Sequence, residues 1–468
     1  MRRFVLSLLA VMAVGAAVVL AAGCGGGDGA VKPGAGYAIT SVAIVDVENG
    51  TVLPDQTVLV AGDRIEKVGP RSEVSVPQGS RSIDGRGLYL MPGLVDAHVH
   101  YFDPPVFGRL MIANGVVLVR DMGMPTDTIL KLRDQLNRGE TLGPEMIATG
   151  AILDGSPPLI PPISIGLEMP EEGRAAVVRQ ADAGVDMIKV YSRLDREVFL
   201  AIVAEAERQG LKVVGHVPDS IYIEAAAKAG LRSSEHYFGF EKVIARLLGE
   251  PANQELVGMT SEANAYLQRL GEVDPDELRA VYGRLAASGL TICPTVVAFK
   301  AFSNQSTFQT GRFPRSEYVS PGVRDLWKQW AGQSNMEKYV WRNWARMVTG
   351  LNRAGVPLMV GTDLMVPGIL PGFSVHEEMA IWQEAGIAPA DVLRSATMVP
   401  AQFMGLGDRL GSVSEGKTAS LALVRANPLE DVRNARQIEG VFLRGRYFSR
   451  DDVDQLLVEA RELAHPAA

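Results

Sequence analysis

The chain has 468 residues, about three times a typical domain length, so one large domain with a smaller companion is expected. Its 47% hydrophobic and 21% charged residues exclude a disordered polymer, and two cysteines, Cys24 and Cys293, exclude a disulfide framework. A net charge of −8, from 46 Lys+Arg against 54 Asp+Glu, argues against a nucleic-acid partner, which would call for a basic face.

Arg2 and Arg3 precede an uncharged apolar run from Phe4 to Ala22, the pattern of a secretory signal. The run closes as Leu20-Ala21-Ala22-Gly23-Cys24, which resembles a bacterial lipobox whose cysteine becomes the acylated first residue. An uncleaved anchor is the alternative, since 19 apolar residues can also span a bilayer. Removal of the two arginines takes the net charge from −8 to −10. The expectation is an exported, lipid-anchored protein with a signal over 1–23 and a Gly-rich tether over 24–36, touching the membrane only through Cys24.

From Tyr37 short alternating runs separated by Glu48-Asn49-Gly50 and Ala61-Gly62-Asp63 predict an antiparallel sheet over 37–91. The same texture returns in Ala419–Val424 and Ile438–Leu443, so a small β-domain built from both chain ends, 37–91 and 406–450, is expected, with a C-terminal helix or tail over 451–468. Between them, over 92–405, apolar runs alternate with helical stretches: 93–97, 115–119, 145–149, 185–191, 211–215, 231–236, 290–294 and 356–360. Several are introduced by a helix ending in glycine, at Gly115, Gly184, Gly230, Gly289 and Gly355. Eight such repeats fit an α/β fold of the (β/α)8 barrel type better than an open, doubly wound sheet.

Five of the six histidines lie in this segment. His98 and His100 alternate along the first run and point to one face. His216 ends the fifth run, His236 the sixth and Asp363 the eighth, each at the end of a strand where such barrels assemble their active sites. Four imidazoles and a carboxylate suit zinc or a similar first-row ion. Lys189 sits inside Met187–Val190, a run buried on both faces, where an ammonium needs a partner or a lowered pKa. Snorkelling to solvent or pairing with Asp186 is the plain explanation; conversion to an anion that joins the metals is the sharper one.

Leu90-Met91-Pro92-Gly93-Leu94-Val95-Asp96-Ala97-His98-Val99-His100 resembles the signature of the amidohydrolase superfamily. Gly184–Tyr191, Gly215-His216-Val217, Glu235-His236, Gly361-Thr362-Asp363 and His376-Glu377-Glu378 are similar to its imidazolonepropionase-like and Xaa-Pro dipeptidase (prolidase-like) branch. The resemblance implies a distorted TIM barrel flanked by a β-sandwich, with two divalent ions, zinc by expectation, at the strand ends. It implies His98 and His100 on the buried ion, Lys189 as an N6-carboxylated bridge, His216 and His236 on the outer ion, and Asp363 on the buried ion as the proton carrier. The implied reaction is attack of a metal-bridged hydroxide on an amide of a dipeptide or N-acyl amino acid. Cyclic-amide hydrolysis, as in imidazolonepropionases, is the alternative; those enzymes usually lack the strand-four lysine. Lactone or phosphoester hydrolysis and a non-catalytic solute-binding lipoprotein stand further off.

Tyr191, Arg193 and Tyr237 follow the ligand positions and are candidates for gripping a substrate carboxylate. The insertion 299–346 carries Trp327, Trp330, Trp341 and Trp344 in two i, i+3 pairs, which helical packing explains ahead of substrate stacking. No oligomeric interface is legible.

Overall fold

The computed structural model describes residues 36–250, 261–304, 313–330, 337, 340–364 and 366–466; the signal, tether and Cys24 lie outside them. No helix among the described residues is long and apolar enough to cross a membrane.

The chain opens with β1 (Tyr37–Asp46), β2 (Thr51–Ala61), β3 (Arg64–Pro70), β4 (Arg81–Asp84) and β5 (Tyr89–Pro92). The Glu48-Asn49-Gly50 turn is fixed by Asp46, whose carboxylate accepts from the amides of Glu48 and Asn49 at 3.1 Å each. Nine parallel strands follow: β6 (Leu94–Val99), β7 (Val116–Asp121), β8 (Glu145–Ala148), β9 (Ile152–Gly155), β10 (Ser164–Leu167), β11 (Met187–Val190), β12 (Lys212–Gly215), β13 (Leu231–Glu235) and β14 (Thr291–Cys293). The chain closes with β15 (Leu421–Val424), β16 (Ile438–Leu443), β17 (Arg446–Phe448) and a helix over Arg450–Ala464.

The two ends combine in one eight-stranded sheet, ordered β17-β16-β15-β5-β1-β2-β3 with β4 also on β1. Ile39, Ile44, Leu90, Leu421, Leu423 and Phe442 fill its core. β5 stitches the ends together, parallel to β1 and antiparallel to β15, and runs straight into β6. The strand that carries His98 is therefore anchored at its start.

The parallel strands form two sheets, β6-β7-β8 and β10-β9-β11-β12-β13-β14. They do not pair into one closed eight-stranded sheet. Scattered backbone hydrogen bonds carry the seams: Asp186 N donates to Ala148 O at 2.9 Å on one side. On the other, residues 356–364 donate from Met359 N to Ile292 O and accept from Ala97 N at Val360 O, both at 2.9 Å. This eighth run makes only isolated bridges because its backbone leaves the extended region, with Asp363 left-handed at φ 59°. β9 and β10, which flank the proline-rich stretch 156–163, are additions to the eight runs read from the sequence. The five helix-ending glycines all have positive φ, from 71° to 127°. In the insertion, Trp344 is fully buried with its indole N–H donating to Pro294 O at 2.9 Å, and Trp327 packs on Phe313. These two rings are core.

Candidate metal centre

His98, His100 and His236 converge on one carboxylate. Asp363 Oδ1 lies 3.4 Å from His98 Nε2 and 3.6 Å from His100 Nε2, and Oδ2 lies 4.0 Å from His236 Nε2. These distances exceed a good N–H···O bond. The first two match the separation of two ligands on one ion, since bonds of about 2.0–2.1 Å at a tetrahedral angle put the ligand atoms about 3.4 Å apart. His216 joins the group through His236, ring centres 5.0 Å apart. All four rings are buried.

Each imidazole has its Nδ1 committed elsewhere. The Nδ1–H of His98 donates to Glu235 Oε2 at 2.9 Å, and that of His100 to Gly123 O at 2.8 Å. His216 Nδ1 meets Ser192 Oγ at 2.9 Å and His236 Nδ1 meets Thr295 Oγ1 at 2.6 Å. That leaves every Nε2 as the free position, the arrangement found when a second group orients a metal-binding histidine. Burial, then the Lys189 charge, pushes His98 down to about 3 and His216 well below its ordinary value. His236 is pushed down to about 4, by burial first. These three rings are neutral at pH 7 with lone pairs available. Burial alone would raise Asp363, yet the surrounding imidazoles hold it well below the usual carboxylate range; burial alone would lower His100, yet Asp363, Asp121 and the Gly123 carbonyl together raise it. The donor set fits a zinc-like ion.

Local backbone explains why these side chains meet. Gly215, at φ 131°, turns β12 towards His216; a Cβ there would sit 2.2 Å from Val190 O. Gly361 lets residues 361–363 lie against the first histidine, since its Cβ would fall 2.9 Å from His98 N. Asp96 ties these two segments together, accepting from Thr362 N at 3.0 Å and Thr362 Oγ1 at 2.7 Å. His236, Thr295 and Asp363 all adopt positive φ, from 44° to 64°, so strained backbone clusters at the site.

Lys189 is fully buried on β11 and forms no ion pair among the described residues. Asp186 is taken by Arg133 at 3.0 Å and by the amide of Ala148, so the plain explanation for this lysine fails. Burial pushes Lys189 down to about 8, against the fields of Glu235 and Asp363. Its charge in turn acts on His98, His216 and His236.

The substrate candidates divide. Tyr191 stacks on His216, ring centres 3.9 Å apart, at the edge of the site. Arg193 is exposed, with Nη1 donating to Pro157 O at 2.7 Å. Tyr237 is turned into the core: fully buried, it donates to Asn264 Oδ1 at 2.9 Å and packs on Phe299 and Trp344. His236 leaves β13 with a left-handed φ of 64°, and the turn that follows carries Tyr237 into the core. His376 is also buried, against Asn114 O.

Several partners escaped the sequence reading: Arg120, Asp121, Ser192, Glu235 and Thr295. Asp121 accepts from the amides of Tyr101 and Gly123 and so holds the loops behind His100. The criterion that flagged Lys189, a charge inside a strand buried on both faces, applies equally to Arg120 and Glu235.

A profile described as "Amidohydrolase family" matches residues 89–447. An imidazolonepropionase of Pseudomonas putida is 22% identical over 388 residues, 79% of this chain and 87% of that enzyme. A shorter match, 38% over 56 residues, reaches an adenine deaminase of Mesorhizobium japonicum; the chain spans only 9% of that enzyme's length. Among solved structures, a Bifidobacterium longum protein assigned as a prolidase superposes with a TM-score of 0.65 at 27% identity, covering 91% of this chain and 99% of that one. Bottromycin amidohydrolase superposes with a TM-score of 0.74 at 25% identity, covering 92% and 91%.

Proposed function

Because the chain belongs to the amidohydrolase family, whose relatives here hydrolyse carbon–nitrogen bonds, we propose that it cleaves the amide bond of a dipeptide or N-acyl amino acid. The observation that carries this reading is the set of four imidazoles with committed Nδ1 atoms, three of them within 4.0 Å of Asp363. The parallel strands are read as a distorted TIM barrel and the terminal sheet as its flanking β-sandwich.

His98, His100 and Asp363 are assigned to a buried divalent ion, and His216 with His236 to an outer one, both zinc by donor chemistry. A bound pair of ions supplies acidification of a water molecule and polarisation of a carbonyl oxygen. Lys189 is assigned as their N6-carboxylated bridge. A lysine pushed down to about 8 holds a useful neutral fraction at pH 7, and its nitrogen adds to the carbon of CO2 and releases a proton. The carbamate anion so formed replaces a buried cation that has no ion pair among the described residues. Asp363 takes the proton of the attacking water and delivers it to the leaving nitrogen, acting first as base and then as acid. Tyr191, beside His216, and Arg193, on the same loop, remain the candidates for a substrate carboxylate.

The membrane address read from residues 1–24 is part of the proposal; partition of Cys24→Ser against wild type tests it. For the reaction, zinc-loaded protein lacking the tether is screened against dipeptides, N-acyl amino acids, cyclic amides, lactones and phosphoesters. Turnover of Xaa-Pro or N-acyl substrates is expected. A preference for cyclic amides, with one ion bound per chain, would favour the imidazolonepropionase-like alternative. Fully loaded protein without turnover of any amide refutes the reading.

A further inference from the structure

Behind His98 lies a charged pair without solvent exposure. Arg120 comes from β7 and Glu235 from the end of β13, and both are 0% exposed. Arg120 Nη2 donates to Glu235 Oε1 and Oε2 at 2.9 Å each, and Nη1 donates to Ser233 Oγ at 3.2 Å. Arg120 Nε donates to the carbonyl of Ala97 at 2.6 Å, one residue before His98. Glu235 Oε2 accepts the Nδ1–H of His98 at 2.9 Å. One guanidinium thus grips both the backbone leading into His98 and the carboxylate on its ring. Ser233 also donates to Glu235 Oε1, so Glu235 has no oxygen left over for an ion.

A purely stabilising pair would not need this aim. Replacing a buried ion pair by apolar residues is often neutral for stability, so stability alone is a weak reason to keep one. The other three imidazoles are oriented by neutral groups, a carbonyl or a hydroxyl; His98 alone among them has a carboxylate behind it. A carboxylate on Nδ1–H fixes the tautomer, aims the ring and makes Nε2 a stronger donor. We propose that Glu235, clamped by Arg120, is a positioning residue that sets His98 as the dominant ligand of the buried ion. Neither residue touches substrate in this assignment, which rests on the metal reading above.

The full chain, its Glu235→Gln variant and an Arg120→Met/Glu235→Leu variant are titrated with Zn2+ against a chromophoric chelator. Metal-free thermal midpoints are measured alongside. Glu235→Gln is expected to lose about 10–100-fold in affinity for one of the ions while the other binds as in wild type. The double variant, which keeps the volume apolar, is expected to show the same loss with a midpoint within a few degrees of wild type. Both variants binding zinc as tightly as wild type overturns the positioning role and leaves the metal reading intact. Wild type that binds no zinc overturns the metal reading, and this role with it. A third measurement needs no variant: 15N spectra of the metal-free wild type should show His98 as the Nδ1–H tautomer alone, and an Nε2–H signal contradicts the proposal.

Discussion

Asp363→Asn tests the assignment of the proton carrier with the least disturbance elsewhere. Asp363 sits at φ 59°, a conformation that asparagine tolerates better than most residues, so the backbone that brings residues 361–363 to His98 should survive. The amide keeps one oxygen near His98 and His100, where Oδ1 now lies at 3.4 and 3.6 Å, and removes the charge and the basic site. A positioned side chain that moves a proton contributes about 10²–10⁴-fold. At about 1.4 kcal/mol per tenfold, that is roughly 3–5 kcal/mol of barrier. Turnover of the best substrate from the screen should therefore fall by about 10²–10⁴ with KM little changed, because the interaction is made in the transition state. Metal content is measured on the same samples, and near-wild-type occupancy is expected. A fully loaded variant within tenfold of the wild-type rate refutes the role of Asp363.

Three further outcomes are expected. Lys189→Ala should lose one or both ions by elemental analysis, and added short carboxylates should restore part of the binding; unchanged stoichiometry would remove Lys189 from the centre. Gly215→Ala places a Cβ 2.2 Å from Val190 O and 2.9 Å from Lys189 Cδ at φ 131°, so strain and overpacking should cost roughly 2–5 kcal/mol in chemical denaturation. A change under about 0.5 kcal/mol would contradict the packing described for β11 and β12. Glu241 is buried, accepts from the Gly239 amide at 2.9 and 3.0 Å, and is pushed up by burial from 4.5 to about 7. Its folded pKa lies above its unfolded one, so its own contribution to stability is fullest below pH 4.5 and is lost as pH rises through 7. The loss approaches about 3 kcal/mol above pH 8. Glu241→Gln should flatten that part of the stability curve relative to wild type; parallel curves would show that burial does not perturb this carboxyl.

Periodicity made the strands legible: seven of the eight apolar runs became parallel strands at the expected places. The eighth did not, because Gly361-Thr362-Asp363 must leave the extended region to bring a carboxylate to His98, a tertiary requirement that no local pattern announces. His98, His100, His236 and Asp363 were legible because each lies at or just beyond the end of an apolar run, and such ends face one mouth in this kind of fold. Tyr237 was misjudged by sequence adjacency; the left-handed turn at His236 sends the next ring away from the imidazoles, to Phe299 and Trp344. Arg120 and Glu235 lie 115 residues apart, so no local spacing joins them. Only their improbability in buried strands marked them, and only the fold shows that they answer each other. The same holds for Ser192 and Thr295, ordinary hydroxyls until the imidazoles of His216 and His236 are placed against them.

The most direct measurement is anomalous diffraction at the zinc edge from crystals grown with zinc. The proposal calls for ions about 2.0–2.1 Å from the Nε2 atoms of His98 and His100 and, at the neighbouring position, of His216 and His236. Extra density on Lys189 Nζ should lie between them. Zinc held through Nδ1 atoms, zinc away from Asp363, or no ordered zinc at these four rings would contradict it.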